Sequence, residues 1–321
     1  MTSEPPEGPA APVWHLIVLN WNGRDDTLRC LASLKAIRRA DVRLICVDNG
    51  STDGSVEAVR AAYPEVELIE AGSNLGYAGG NNLGLRRALE RGTAWTVLIN
   101  NDSIVASDVI EGFERALRSE PDAGVLAGKV YFADRPTTVW FAGQRVGAVL
   151  GYSGRPRGYG RKDAPRFQVV TDTGRAVGAL MAISRDALEG VGLLNEDLFA
   201  YVEDVEFSLR ARQRGFRVVF APEARAWHRV SGSTGGEAAS THTLYYGARN
   251  SVIVFEQERP LGAVGTGLRR LVIGLTFTVY ALSRANRGAA LGAVVDGLRD
   301  AFSGRLGARP VAVSHQPAVR S

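Results

Sequence analysis

Trp95-Thr-Val-Leu-Ile-Asn-Asn-Asp102 is an apolar run that ends on two amides and a carboxylate. Such a run reads as a buried strand, and its polar end falls at the carboxyl edge of an open α/β sheet, where ligands bind. Further along, Tyr201-Val-Glu-Asp-Val-Glu-Phe207 places Glu203 and Asp204 at the start of a helical pattern. One station suits a divalent metal and the other suits proton abstraction.

Outward from that run, Trp14–Asn20, Val42–Asp48 and residues 66–70 are also apolar, each followed by turn residues and a helix-period segment. This βαβ series calls for a parallel sheet. Past Pro121 the rhythm changes. Residues 124–132 and 139–149 read as strands, 151–166 as a Gly, Pro and Arg-rich loop suited to a lid or specificity element, and 171–184 as strand again. A helix is expected over 204–215, ending at a Gly cap, and a short strand over 216–220.

The whole has 321 residues, 45% hydrophobic and 22% charged, which is enough for a full core. The fold class is α/β, a mostly parallel central sheet flanked by helices, with a C-terminal helical appendage. Net charge is +4, but from Phe255 onward nine Arg face four acids, so the body is slightly acidic and no nucleic-acid partner is expected. Cys30 and Cys46 read as reduced core residues. Residues 1–12 lack the basic and apolar regions of a signal peptide and read as a disordered leader, so a cytoplasmic protein is expected. The expected body is 13–250, in halves 13–120 and 121–250, followed by helices over 251–305 and a disordered tail over 306–321.

Leu268, Leu271, Val272, Leu275, Val279 and Leu282 recur at helical spacing, with Arg269, Arg270 and Arg284 flanking a 13-residue uncharged stretch. A bilayer span takes about 20 apolar residues. An amphipathic helix in the membrane interface, at the inner face of the cell membrane, fits this pattern; a helix packed on the domain or in a homodimer is the alternative.

At the chemical stations, a strand delivers Asp48 to the sheet edge, where it could accept a hydrogen bond from a nucleobase imide or simply organise a turn. The segment from Asn74 through Gly76, Gly80 and Asn81 opens a helix whose amides could meet a phosphate or ribose, and its spacing is not that of a dinucleotide fingerprint. Asp102 could hold Mg²⁺ or Mn²⁺ against a diphosphate, with the His228 imidazole completing the site. Glu203 and Asp204 either cap a helix or, beside the apolar 198–202 segment, supply a base.

Val18-Leu19-Asn20-Trp21-Asn22-Gly23, the Asp48 segment, Asn74 to Gly84, Asn100-Asn101-Asp102, Gly178-Ala-Leu-Met181 and Glu203-Asp204 together resemble a family 2 glycosyltransferase, nearest its rhamnosyltransferase-like members. Tyr245-Tyr246 and Arg249-Asn250 resemble the family's exit into C-terminal helices. The resemblance implies a GT-A fold, a nucleotide-diphosphate sugar donor, a divalent metal and inversion at the anomeric carbon. Donor binding would fall to Asn20, Asn22, Asp48, Asn74, Gly76, Gly80, Asn81, Asn101 and Asp102. Asp204 would be the general base with Glu203 beside it, and Asp102 and His228 would hold the metal. The acceptor would be a glycan, a lipid-linked glycan or a small molecule, and deoxythymidine-diphosphate rhamnose is the first donor to test. Two departures stand out: Asn-Asn-Asp carries one acid where many relatives have two, and Asn195 replaces a common Asp. A catalytically idle nucleotide-sugar-binding or scaffold protein and a sugar nucleotidyltransferase are the competing readings, the latter weakened because residues 19–25 contain no lysine for a triphosphate loop.

Overall fold

The computed structural model describes residues 13–147, 155–229 and 236–309. The expected leader, most of the expected tail and the first part of the 151–166 loop lie outside them. In chain order the body runs β1 (Trp14–Asn20), α1 (Arg24–Lys35), β2 (Val42–Asp48), α2 (Ser55–Ala62), β3 (Glu67–Glu70), α3 (Gly76–Glu90) and β4 (Trp95–Asn100). Next come β5 (Ser103–Val105), α4 (Val109–Ser119), β6 (Ala123–Phe132), β7 (Arg135–Phe141), β8 (Arg161–Lys162), β9 (Thr171–Asp172), β10 (Leu180–Ser184), α5 (Arg185–Val191), α6 (Glu203–Gln213) and β11 (Arg217–His228). Three helices close the described chain: α7 (Gly236–Glu258), α8 (Ala263–Leu282) and α9 (Arg287–Phe302).

The sheet order is β3-β2-β1-β4-β10-β6-β11-β5. Strands β3, β2, β1 and β4 are parallel, β10 enters antiparallel between β4 and β6, and β6 and β11 are again parallel. Every residue of β1 is buried, as its unbroken apolar run requires of a strand covered on both faces. Leu16, Ile17, Val47, Val97 and Leu126 lie in one continuous core, each buried aliphatic contributing about 1.5–3 kcal/mol. Both cysteines sit in that core as free thiols, and burial pushes the Cys46 thiol up to about 12.

Several expected boundaries shift for identifiable reasons. The strand expected over 139–149 is β7, which starts earlier and stops at Phe141, where Gly143 turns the backbone with φ +88°; positions 148 and 149 lie outside the described residues. The strand expected over 171–184 splits into β9 and β10, because residues between them leave the sheet: Ala176 donates its amide to Ser208 Oγ and Gly178 to Asp204. The short strand expected over 216–220 is the twelve-residue β11, which passes through Pro222 at a bulge between Ala221 and Arg225. Proline is tolerated in a strand at such bulges, where no ladder donor is needed. The 155–166 segment is not all irregular, since β8 pairs with β7.

The C-terminal helices form a second core from Leu244, Tyr245, Tyr246, Ala281, Ala290 and Val294. Further along the same α7, Val254 and Phe255 pack against Leu198, Val202, Val205 and Leu209 of the body. The boundary expected at 250 therefore falls inside a helix that packs on the C-terminal helices at one end and on the body at the other. Along α8, Leu268, Leu271, Leu275, Val279 and Leu282 face outward, but Arg269 turns inward and donates to the carbonyls of Phe255 and Arg259. Arg270 pairs with Glu256. Among the described residues, no helix is long and apolar enough to cross a membrane.

Candidate active site

The carboxyl ends of β1, β2 and β4 bring Asn20, Asp48 and Asn101 into one buried hydrogen-bond network. Asn20 Nδ2 donates to Asp48 Oδ2 at 2.8 Å and to Ser51 Oγ at 3.0 Å. Its Oδ1 accepts from Thr27 Oγ1 at 2.7 Å and Asn101 Nδ2 at 3.2 Å. Asp48 Oδ1 accepts the Ser51 amide at 2.9 Å, which is the turn-organising role open to it at the sheet edge. Asn22, with φ +51°, accepts the Thr52 amide at 2.7 Å and ties the first loop to the second. These amides and carboxylates shape the edge by bonding to one another.

A residue that the sequence did not single out links the next loop. Asn49 is buried, donates to Asn74 Oδ1 and the Gly76 carbonyl, and accepts the Leu75 amide. Asn74 in turn accepts the Gly76 amide at 2.9 Å. Gly76 has φ +76°, and a Cβ there would strike the Phe199 carbonyl and ring. That carbonyl accepts the Ala78 amide at 3.2 Å, so a backbone oxygen already faces the start of α3, where a phosphate was expected. Gly80 is a packing position, where any Cβ would meet Leu19 and Asn49, and Asn81 donates to the Tyr77 carbonyl. Asn82, also missed, reaches the Leu194 carbonyl and Glu196 Oε1.

Asp102 and His228 meet because β5 and β11 pair, placing His228 opposite Ser103. His228 Nε2 lies 2.9 Å from Asp102 Oδ1 and 3.3 Å from Asn100 Nδ2. Among the described residues, Asn100 Oδ1 and His228 Nδ1 are buried without hydrogen-bond partners, and no three His, Cys, Asp or Glu side chains converge as a ready-made cage. One carboxylate beside one imidazole suits Mg²⁺ or Mn²⁺, which bind through few protein ligands and complete their shell with water and substrate phosphates. The donor set therefore fits the metal that the sequence implied.

Glu203 and Asp204 open α6 at the end of a strained turn. Phe199, Tyr201 and Val202 all have positive φ, at 63°, 65° and 74°. For a β-branched valine this is a true outlier, and such strain persists only where the surroundings impose it. The imposing groups are on α7. Asn250 Nδ2 lies within hydrogen-bond distance of the carbonyls of Leu198, Ala200 and Tyr201 at 2.9, 2.9 and 2.7 Å. Arg249 donates to the Leu198 and Gly307 carbonyls, and both side chains are fully buried.

Asp204 Oδ2 accepts from Arg175 Nη1 and the Gly178 amide, both at 3.2 Å, and Oδ1 accepts the Val205 amide. Glu203 is 5% exposed, and its Oε2 has no hydrogen-bond partner among the described residues. Burial, reinforced by the Asp204 charge, pushes its carboxyl well above the ordinary range. Tyr77 donates its hydroxyl to the Gly178 carbonyl, next to the amide that holds Asp204. Burial raises it first, then the charges of Glu203, Asp204 and Asp102.

The fold built around these residues is that of a GT-A glycosyltransferase. Residues 11–245 match the family described as Glycosyltransferase like family 2, and the chain belongs to it. It is 29% identical over 251 residues to the N-acetylglucosaminyl-diphospho-decaprenol L-rhamnosyltransferase of Mycobacterium tuberculosis, covering 73% of this chain and 80% of that one. Identity to the dTDP-rhamnosyl transferase RfbF of Shigella flexneri is 22% over 223 residues, 67% of this chain and 69% of that one. Among solved structures, a Pyrobaculum calidifontis mannosyltransferase in complex with GDP-Man and Mn²⁺ aligns with TM-score 0.57 at 19% identity, covering 94% of this chain and 78% of that one. GalNAc-T7 with UDP, GalNAc and Mn²⁺ aligns with TM-score 0.55 at 14% identity, over 83% of this chain and 55% of that one. The expected fold and the expected enzyme class both hold.

Proposed function

We propose that this protein is an inverting glycosyltransferase that moves a sugar, rhamnose first among the candidates, from a nucleoside-diphosphate sugar to an acceptor hydroxyl. The observations that support the reading are the family match and the Asp102–His228 pair, together with Asp204 held by Arg175 and the Gly178 amide at the start of α6. Asp204 takes the acceptor's proton as its oxygen attacks the anomeric carbon; the bond from that carbon to the diphosphate oxygen breaks, and the electron pair leaves with the diphosphate. Arg175 and the Gly178 amide hold the carboxylate in place for that transfer. Asp102 and His228 are the residues that would hold Mg²⁺ or Mn²⁺, which when bound neutralises charge on the leaving diphosphate. Glu203, buried and with its neutral form favoured, stands beside Asp204 at the start of α6. Asn20, Asn22, Asp48, Asn74, Gly76, Gly80, Asn81 and Asn101 set the loops that would receive the nucleotide.

The test is calorimetric titration with dTDP, UDP and GDP and their sugars, each with Mn²⁺ and with chelator. Binding of one nucleotide class that is lost on chelation is expected. Absence of binding to every nucleotide would replace the transferase reading with that of an idle scaffold.

A further inference from the structure

The end of β7 carries one residue too many for its ladder. Val130 of β6 pairs with Phe141 and Tyr131 pairs with Val139, so Trp140 stands between them with no partner on β6. A bulge of this kind re-aims a side chain, and such bulges gather beside functional sites. Val139 and Phe141 are fully buried, whereas Trp140 is half-buried and sets its indole edge-on to the His228 imidazole, with ring centroids 5.2 Å apart and planes at 68°. Because β6 pairs with β7 on one side and β11 on the other, the indole reaches His228 across β6. Phe141, next along, places its ring 5.6 Å from the Arg175 guanidinium. Consecutive residues of one strand therefore contact the partner of Asp102 and the partner of Asp204.

His228 has need of such a contact. Among the described residues, the polar side chains that reach its imidazole both do so at Nε2, Asp102 Oδ1 at 2.9 Å and Asn100 Nδ2 at 3.3 Å. Two contacts at one atom fix a point but leave the ring free to swing about it. A histidine that ligates a metal is ordinarily held from its far side, by a hydrogen bond on the second nitrogen. Here Nδ1 is buried and has no hydrogen-bond partner among the described residues. The edge-on contact with Trp140 takes that part, at a separation where aromatic pairs attract and in a geometry that sets the plane of the ring. We propose that Trp140 is a positioning residue for the metal site: it fixes the plane of the His228 imidazole and so holds Nε2 ready to ligate beside Asp102. The proposal rests on the transferase reading for the ion itself.

The test measures calorimetric binding of dTDP, UDP and GDP to the full-length protein over a series of Co²⁺ and of Mg²⁺ concentrations. Its readout is the concentration of each ion that gives half its effect. Co²⁺ draws strongly on an imidazole ligand and Mg²⁺ chiefly on oxygen, so a misaimed His228 weakens the first ion far more. Trp140→Leu is expected to raise the half-effect Co²⁺ concentration about tenfold, the scale of losing an orienting neighbour at a metal ligand, and to leave that of Mg²⁺ within about twofold. Trp140→Phe, which keeps an aromatic edge, should behave like the unaltered protein. So should Val139→Ala, which loosens the same strand within the separate cluster of Tyr131, Phe167 and Phe220. No shift in Trp140→Leu, an equal shift for both ions, or the same shift in Val139→Ala overturns the assignment while the transferase reading stands. Nucleotide binding that neither ion strengthens in the unaltered protein removes the metal site, and this inference with it. Absence of binding to any nucleotide removes the transferase reading itself, and this inference falls too.

Discussion

Asp204 and Glu203 are neighbours in sequence with opposite surroundings. Asp204 accepts three donors, whereas Glu203 is buried with an unpartnered oxygen. Asp204→Asn is expected to cut transfer by about 10²–10⁴-fold with donor affinity unchanged, measured by steady-state kinetics beside calorimetry. Parallel loss of donor binding would remove it from the role of base. Glu203 bears on stability. Its folded carboxyl titrates above the ordinary 4.5, so folding takes up a proton and stability falls as pH rises from 4.5 through the folded value. Glu203→Gln should therefore raise the melting temperature at pH 7.5, with the gain shrinking towards pH 4; an equal shift at both would mean that ionisation is not the cause. Asp102→Ala is expected to abolish the difference between nucleotide binding with Mn²⁺ and with chelator. A persisting metal effect would place the ion elsewhere.

At the scale of elements, the turn before α6 is held by a helix from the far end of the chain. Asn250→Ala leaves the Leu198, Ala200 and Tyr201 carbonyls without that donor, and we expect a loss of about 2–4 kcal/mol in urea unfolding. We also expect kcat to fall more than donor affinity, because the strained turn that presents Asp204 would relax; unchanged kcat in a destabilised variant would make the clamp purely structural. This contact explains much of what the sequence could and could not reveal. Strands β1, β2 and β4 are legible because burial on both faces leaves an unbroken apolar run. By contrast, β11 was truncated in the reading because Pro222 signals a turn unless its bulge is known. Asn49 and Asn82 escaped, and Asn250 is legible only as part of the exit into the C-terminal helices and not as a clamp, because a buried amide that bonds to distant carbonyls leaves no local pattern. The Asp102–His228 pair was anticipated as a pairing of roles, but the reason they touch, the antiparallel pairing of β5 and β11, was not.

For the molecule as a whole, the two cores share α7 and leave the outer face of α8 apolar. Leu271→Glu with Leu275→Glu is expected to reduce co-sedimentation with anionic vesicles several-fold at low salt, the apolar face supplying most of the binding. Equal pelleting of both proteins would sink the interfacial assignment, and a concentration-dependent mass in ultracentrifugation that the same substitutions abolish would identify a dimer face in its place. The sheet order also dictates an order of events as the chain is made. Strands β1 to β4 close through short crossovers once residue 100 has emerged, but the open side of β4 waits for β10, and β6, met early only at its far end by β7, is paired along the rest of its length once β10 and β11 exist. From residue 100 to residue 180 the nascent protein carries Val97, Leu98 and Ile99 on an unpaired strand edge, the kind of surface that templates aggregation. Closure of that edge is a long-range and therefore slow step, and until β10 arrives the edge stays open to pairing with other chains.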